Sequence, residues 1–370
     1  MEKSCVVLVT GAGGDAQGWG NMQVTESVRD AIIANGYDCR IVLAENREAL
    51  LKGLQEGACS IVWSSLYFFS EREDIIGIPP DAVWIADVLD ELHIPYIGPS
   101  AQTMKNLIAK FDTHEILASA GVSVPRHVLC PPAKAEEIDF FPAFVKPNGE
   151  SRSVGINENS VAEDSAALVK QISFIQNELQ QAALVEEYLP GNEYTVMVIG
   201  NGKKREILPG RVTVDPKHYG KFPVLRSDLR GVGLTHVSIP EEHQAEAVAL
   251  ANAACDALNC DDHVRIDMRE GKDGKLRIME VNGIPGLKPV KSWSPQIYSL
   301  YHIDCVQNVR QNTDALGQVA GLGGEQFPSD VWYALHQNIG QKEQHQSGGQ
   351  SDRQQHQYFH QHFKAFSLFG

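Results

Sequence analysis

The chain has no stretch long and apolar enough to cross a membrane as a helix; no run approaches the roughly 18 consecutive apolar residues that a span requires. The apolar part of Met1-Glu-Lys-Ser-Cys-Val-Val-Leu-Val is too short for a signal peptide and enters a glycine turn directly, so it reads as a first buried strand. Basic charge is scarce as well. Lys and Arg number 32 against 47 Asp and Glu, a net charge of −15, which argues against a nucleic-acid partner because binding a phosphate backbone needs a clustered basic surface. A single nucleotide needs only a few local cations and backbone amides, so ATP is not excluded. Paired cysteines are missing too: Cys5, Cys39, Cys59, Cys130, Cys255, Cys260 and Cys305 form no CxxC, and most sit among apolar residues as reduced thiols do. A cytoplasmic protein without disulfides is the simplest reading. Cys255, Cys260 and His263 lack the second ligand pair of a structural metal site. There is no internal repeat and no recognisable Ser-His or Cys-His nucleophile.

What is present is the balance of an ordinary globular protein, 370 residues with 43% apolar and 21% charged, long enough for two or three packed units. Residues 5–10 and 39–43 and the segment Ser60-Ile-Val-Trp-Ser read as strands. Helical spacing of Val24, Val28, Ile32 and Ile33 and a helix over 47–56 separate them. Such alternation predicts a parallel sheet with crossover helices, closed by a short strand over 94–100. A helix over 101–120 follows, then a strand Phe144-Val145-Lys146-Pro147, a small-residue loop, a helix over 161–179 and a strand over 183–186. Strands near 194–199 and 206–214, a helix over 242–258 and a hairpin of 264–269 with 276–281 complete the pattern. The expected division is 1–100, a Rossmann-like substrate unit; 101–186, a lid; 187–320, a catalytic unit; and 321–370, a Gln- and His-rich tail that cannot build a core.

Chemistry concentrates in three places. Strand alternation puts Arg265, Asp267 and Arg269 on one face of the hairpin, and Glu280 with Asn282 on one face of its partner. Two carboxylates and an amide oxygen suit Mg²⁺ shared with phosphates; an ordinary cross-strand ion-pair ladder reads equally well from these residues alone. Lys146 is delivered by an apolar strand into Asn148-Gly-Glu-Ser151-Arg152-Ser153-Val-Gly155, whose amides could cradle phosphate oxygens. Between the two lies Glu186-Glu187-Tyr-Leu189-Pro-Gly-Asn-Glu193, a strand exit that can offer backbone groups to adenine and a carboxylate to ribose.

Lys110, Phe144-Val-Lys146-Pro, Ser153-Val-Gly-Ile, Glu186 to Glu193, Arg265-Ile-Asp267 and Glu280-Val-Asn282-Gly-Ile-Pro-Gly286, in that order, resemble the D-alanine–D-alanine ligase branch of the ATP-grasp superfamily, over about residues 94–292. The resemblance implies an α/β (α+β) ATP-grasp fold in three domains and an ATP-dependent ligase joining a carboxylate to an amine through an acyl-phosphate. It implies that Lys110 and Lys146 contact phosphates, that Glu186, Glu187 and Leu189 meet adenine and Glu193 the ribose, and that Ser153 lies on the lid. Asp267, Glu280 and Asn282 would hold two Mg²⁺ ions, with Mn²⁺ an acceptable substitute. Arg265 and the Gly286 amide would stabilise the oxyanion, and Lys217 and Tyr219 would sit on a mobile loop beside the substrates.

The sequence departs from that branch where the first substrate binds. The expected turn carries a glutamate that anchors the first alanine's ammonium; here it reads Gly13-Gly14-Asp15-Ala16-Gln17-Gly18-Trp19. Arg152 replaces a small lid residue, and Lys288, Lys291 and Ser292 stand where small and hydroxyl residues hold the second alanine. Asp15, Trp19 and Arg152 are therefore candidate contacts for a larger first carboxylate, although packing is the commoner fate of an aromatic such as Trp19. Relatives on the branch include the ligase that adds serine or threonine to mycosporine-glycine through an amide- or imine-type C–N bond, and a reaction of that sort is expected over cell-wall D-alanine ligation. A regulatory module without turnover would be expected to have lost a lysine or metal position, and none is lost. Small carboxylates and amino acids are the expected partners, without nucleic acid or membrane; a homodimer is compatible.

Overall fold

The computed structural model describes residues 5–303 except 74–76, 132–137, 216, 218–219, 227–233 and 290. The described residues all fall in one unit; the Gln- and His-rich tail, Cys305 and Tyr219 lie outside the described residues.

In chain order the elements are β1 (Cys5–Thr10), α1 (Gly14–Gln17), α2 (Met22–Ala34), β2 (Asp38–Leu43), α3 (Arg47–Gln55), β3 (Ile61–Ser64), α4 (Ile85–Glu91), β4 (Tyr96–Ile97), α5 (Ala101–Ile108), α6 (Lys110–Ser119), β5 (His127–Cys130), β6 (Ala143–Pro147), β7 (Val161–Ala162), α7 (Ser165–Glu178), β8 (Ala183–Glu187), β9 (Glu193–Ile199), β10 (Glu206–Val214), β11 (Thr235–Ser238), α8 (Gln244–Leu258), β12 (His263–Glu270), β13 (Leu276–Asn282) and α9 (Trp293–Leu300). Three sheets result. The first is parallel, in order β2-β1-β3-β4, as the strand–helix alternation predicts. All six residues of its central strand β1 are buried, the continuous apolar run of a strand covered on both faces. The second, β5-β8-β6-β7, and the third, β11-β10-β9-β12-β13, are antiparallel.

Local chemistry sets the helix starts. Asn21, Asn46, Ser100 and Asp164 each accept a backbone N–H three residues on, from Val24, Ala49, Thr103 and Ala167, as N-caps do. The Asp164 cap starts α7 at Ser165, and the preceding Val161–Ala162 pairs with β6 as β7, so the helix expected over 161–179 loses its first turn to a strand.

The helix expected over 101–120 is two helices. Ala109 is extended, with φ −85° and ψ 93°, because the following backbone turns to the second sheet. Lys110 N donates to Asn148 O at 3.1 Å and Phe111 N to Asn148 Oδ1 at 2.8 Å. Tertiary hydrogen bonds thus outweigh the helix propensity of the segment, and Lys110 becomes the first residue of α6. Leu107, Leu117 and Val122 pack into the core between the third sheet and α8, while α7 and the second sheet enclose a separate core.

Candidate active site

On the second sheet, β6 and β8 run side by side with Lys146 opposite Leu184 and Phe144 opposite Glu186. Lys146 and Glu186 are therefore diagonal neighbours on one face, close enough for long side chains to meet. Lys146 Nζ is 2.8 Å from Glu186 Oε1 and donates to Met279 O at 3.1 Å. His114, on α6, meets the same carboxylate oxygen through Nε2 at 2.7 Å. Burial pushes the Glu186 carboxyl up, but Lys146 and the His114 hydrogen bond more than offset this and hold it at about 2. Its charge is thereby kept inside the fold.

Lys110 is buried and donates from Nζ to Glu150 O, with Glu280 Oε2 3.8 Å away. Burial lowers its pKa and Glu280 opposes that fall. The loop after β6 wraps over this pair. Arg152 and Ser153 both adopt left-handed backbone, φ 57° and 59°, with Gly155 at 76°. Two consecutive non-glycine residues there store strain that surrounding contacts must hold. Those contacts come from the first sheet's α1: Ser151 Oγ donates to Ala16 O at 2.9 Å, and Arg152 Nη1 to Asp15 O at 2.7 Å and to Asp15 Oδ2 at 3.2 Å.

The third sheet completes the site. Arg265 pairs with Asn282 and Asp267 with Glu280 directly across β12 and β13, next to a register shift between Asp267 and Met268. Arg265 grips Asp267 with Nε at 2.9 Å and Nη2 at 2.8 Å, a bidentate fork. Thr195 Oγ1 donates to Asp267 at 2.7 Å. The Asn282 amide lies 3.2 Å from Asp267 Oδ2 and 3.1 Å from Glu280 Oε1. The Arg265 guanidinium also covers the Trp293 ring at 5.2 Å. Two carboxylates and an amide brought together this way form a hard-oxygen donor set that fits Mg²⁺; a turn of the Asn282 amide would present its oxygen.

One cleft is lined by Lys110, Lys146, Ser153, Glu186, Glu187, Leu189, Glu193, Asp267 and Glu280, with apolar walls from Phe144, Val154, Ile156 and Met279. Arg265 and Asn282 are not among the lining residues and bond to the carboxylates that are. Glu187 is turned partly away, 3.1 Å from Arg277 Nε. Glu193 lies 3.7 Å from Arg269. Gly286, Lys288, Lys291 and Ser292 share the loop before α9, where Ser292 Oγ accepts Lys288 N at 3.1 Å. Lys217 is exposed and pairs with Asp215 at 2.6 Å.

Trp19 requires a correction. It is 1% exposed, packs edge-on against Trp63 at 4.9 Å and donates its ring N–H to Thr25 Oγ1 at 3.0 Å. An aromatic whose one polar atom is already satisfied inside the core is packing material, so no substrate contact remains to it.

Sequence reading missed His114 and Glu150. His114 lies four residues after Lys110, hence on the same helix face, and that spacing could have flagged it. Glu150 accepts from Gly77 N at 2.5 Å and from Gln181. Tyr67 Oη accepts Ile284 N at 2.9 Å. No local pattern marks Glu150.

The chain is similar to known proteins along most of its described length. Residues 124–301 match the family model for the D-ala D-ala ligase C-terminus. The chain is 26% identical over 271 residues to the D-alanine–D-alanine ligase of Haemophilus ducreyi, covering 70% of this chain and 82% of that one. It is 29% identical over 208 residues to that of Halalkalibacterium halodurans, covering 55% and 67%. The D-alanine–D-alanine ligase of Bacillus anthracis complexed with ATP superposes with a TM-score of 0.64 at 19% identity, over 86% of this chain and 100% of that one. VanG D-Ala:D-Ser ligase from Enterococcus faecalis superposes with a TM-score of 0.63 at 16% identity, over 85% and 99%. Motif order, cleft and relatives agree, and the chain is an ATP-grasp ligase that resembles the D-alanine–D-alanine ligases.

Proposed function

We propose that the chain uses ATP to activate a carboxylate as an acyl-phosphate and then joins it to the amine of a small amino acid. The observation that carries this is the convergence of two buried lysines with Asp267 and Glu280 on one cleft. A carboxylate approaching the γ-phosphate is repelled, and Lys110 and Lys146 offset that charge. Asp267, Glu280 and Asn282 would hold Mg²⁺, which would supply the remaining charge neutralisation. Arg265, kept charged in the fork with Asp267, would face the developing oxyanion together with the Gly286 amide. Lys288 and Lys291 are placed in sequence to receive the second substrate's carboxylate.

Two first substrates compete. The Arg152–Asp15 pair favours a carboxylate whose nitrogen is substituted, such as mycosporine-glycine: Asp15 already has a cation partner, and an ammonium buried without a counter-charge costs several kcal/mol. The relatives favour D-alanine at least as strongly, since those described above are D-alanine ligases by name. ATP, Mg²⁺ and each pair of candidates, read by product mass, separate the two. Efficient D-alanyl-D-alanine formation decides for D-alanine and against the substituted carboxylate. A condensation product of mycosporine-glycine with serine or threonine decides the other way. Absence of ADP release with every pair would remove the ligase reading.

A further inference from the structure

His114 is fully buried on α6. Its Nε2 lies 2.7 Å from Glu186 Oε1, the oxygen that Lys146 Nζ reaches at 2.8 Å. Its Nδ1 is buried without a hydrogen-bond partner. The ring meets His127 edge-on, centroids 4.9 Å apart, while the nitrogens of His127 go to Pro125 O at 2.8 Å and Glu115 at 2.9 Å. Among the described residues the imidazole's one polar contact is therefore Glu186. An ionised carboxylate only accepts, so the proton must sit on Nε2. A proton on Nδ1 as well would bury an N–H with no acceptor, and burial indeed lowers the pKa against the pull of Glu186.

We infer that His114 is a positioning residue of the nucleotide site: as the neutral Nε2–H tautomer it locks the Glu186 carboxylate in one orientation, so that Glu186 and Lys146 face the cleft as a fixed pair. This rests on reading the cleft as the ATP site. Without the imidazole, Glu186 keeps one ammonium partner and gains freedom to rotate, and Lys146 moves with it. A charged hydrogen bond lost at a buried site corresponds to roughly ten- to a hundredfold in binding.

The test compares wild type, His114→Leu and His114→Gln by calorimetric titration with a non-hydrolysable ATP analogue and Mg²⁺, by steady-state kinetics, and by ¹⁵N NMR of the imidazole. His114→Leu should weaken analogue binding and raise KM for ATP about ten- to a hundredfold while kcat changes only a few-fold. His114→Gln, which restores an N–H donor, should stay within a few-fold of wild type in both. The imidazole should appear neutral with its proton on Nε2. The inference is overturned if His114→Leu binds the analogue as tightly as wild type, if a folded His114→Gln is as weak as the leucine variant, or if the proton is on Nδ1. Should His114→Leu not fold, the glutamine variant and the NMR spectrum decide. A wild type that does not bind the analogue would remove the nucleotide reading together with this inference, and all three chains would then be equally inert.

Discussion

At the scale of single residues, the ion pairs of the cleft differ in how well they tolerate loss of a partner. Asp267 is buried beneath Arg265 and Thr195, so removing its charge strands a buried guanidinium and costs stability as well as activity. Glu280 has a side chain 21% exposed, and its neutralisation is the cleaner experiment. Glu280→Gln should abolish ADP formation at saturating Mg²⁺ while the thermal midpoint stays within a few degrees; near-normal turnover would remove Glu280 from the metal set. His263 poses a different problem. It is 2% exposed, neither ring nitrogen has a partner, and its ring stands edge-on to Trp63 at 5.4 Å. Burial lowers its pKa to about 4, against roughly 6.5 when unfolded. Between those values the unfolded chain binds more protons than the folded one, so stability rises with pH. It is fully present above roughly pH 6.5 and is lost as pH falls towards 4, by on the order of 3 kcal/mol. Urea midpoints across that window should show a shallower slope for His263→Phe than for wild type; equal slopes would mean that this ring is solvated.

At the scale of elements, the long strands and the helices over 47–56 and 242–258 were legible, while the short strands β5, β7 and β11, the short helix α1 and the break between α5 and α6 were not. β1, β9, β12 and β13 announce themselves because apolar runs and strict alternation are local properties of the sequence. The break at Ala109 is invisible there, because its cause is Asn148, a residue on another sheet. The short helix α1 was hidden likewise: Gly13-Gly14-Asp15-Ala16 reads as a turn, and what holds it is distant in sequence, Gln17 donating to Phe68 O and accepting from Tyr67 N and Phe68 N. Gly18, which ends α1, shows what this packing demands. A β-carbon at Gly18 would lie 1.8 Å from Ser65 O, a backbone atom that cannot swing aside. Gly18→Ala should therefore displace α1 from β3, costing several kcal/mol in a denaturant titration. A loss below about 1 kcal/mol would show that the two segments separate easily.

At the scale of the whole described unit, three sheets converge on residues 14–19, and no window of sequence contains that meeting. Leu287 N donates to Trp19 O at 2.9 Å, Tyr67 holds Ile284 across 217 positions, and Arg152 reaches Asp15 across 137. Lys146 with the loop after it, Arg265 with Asp267, and Glu280 with Asn282 were legible as candidates because each group lies on one strand or loop. The contact between Asp15 and Arg152, both candidates from the sequence, was not, because it joins segments 137 positions apart. Arg152 is the contact with the sharpest consequence. Its ion pair with Asp15 is about half exposed, 47% and 51%, so it contributes little to stability. Yet the left-handed backbone of Arg152 and Ser153 costs of order 1–3 kcal/mol per residue, and docking on α1 is what maintains it. Arg152→Ala removes the clamp and keeps the strain, so the loop should spend more time lifted from the cleft. Water then competes with the amine for the acyl-phosphate. The thermal midpoint should move by less than about 2 °C, while ADP released per amide formed rises clearly above one and KM for the carboxylate increases. Arg152→Gly, which relieves the strain as well, should uncouple less than Arg152→Ala. A ratio that stays at one in both variants, with unchanged KM, would reduce Arg152 to a surface side chain with no part in closing the site.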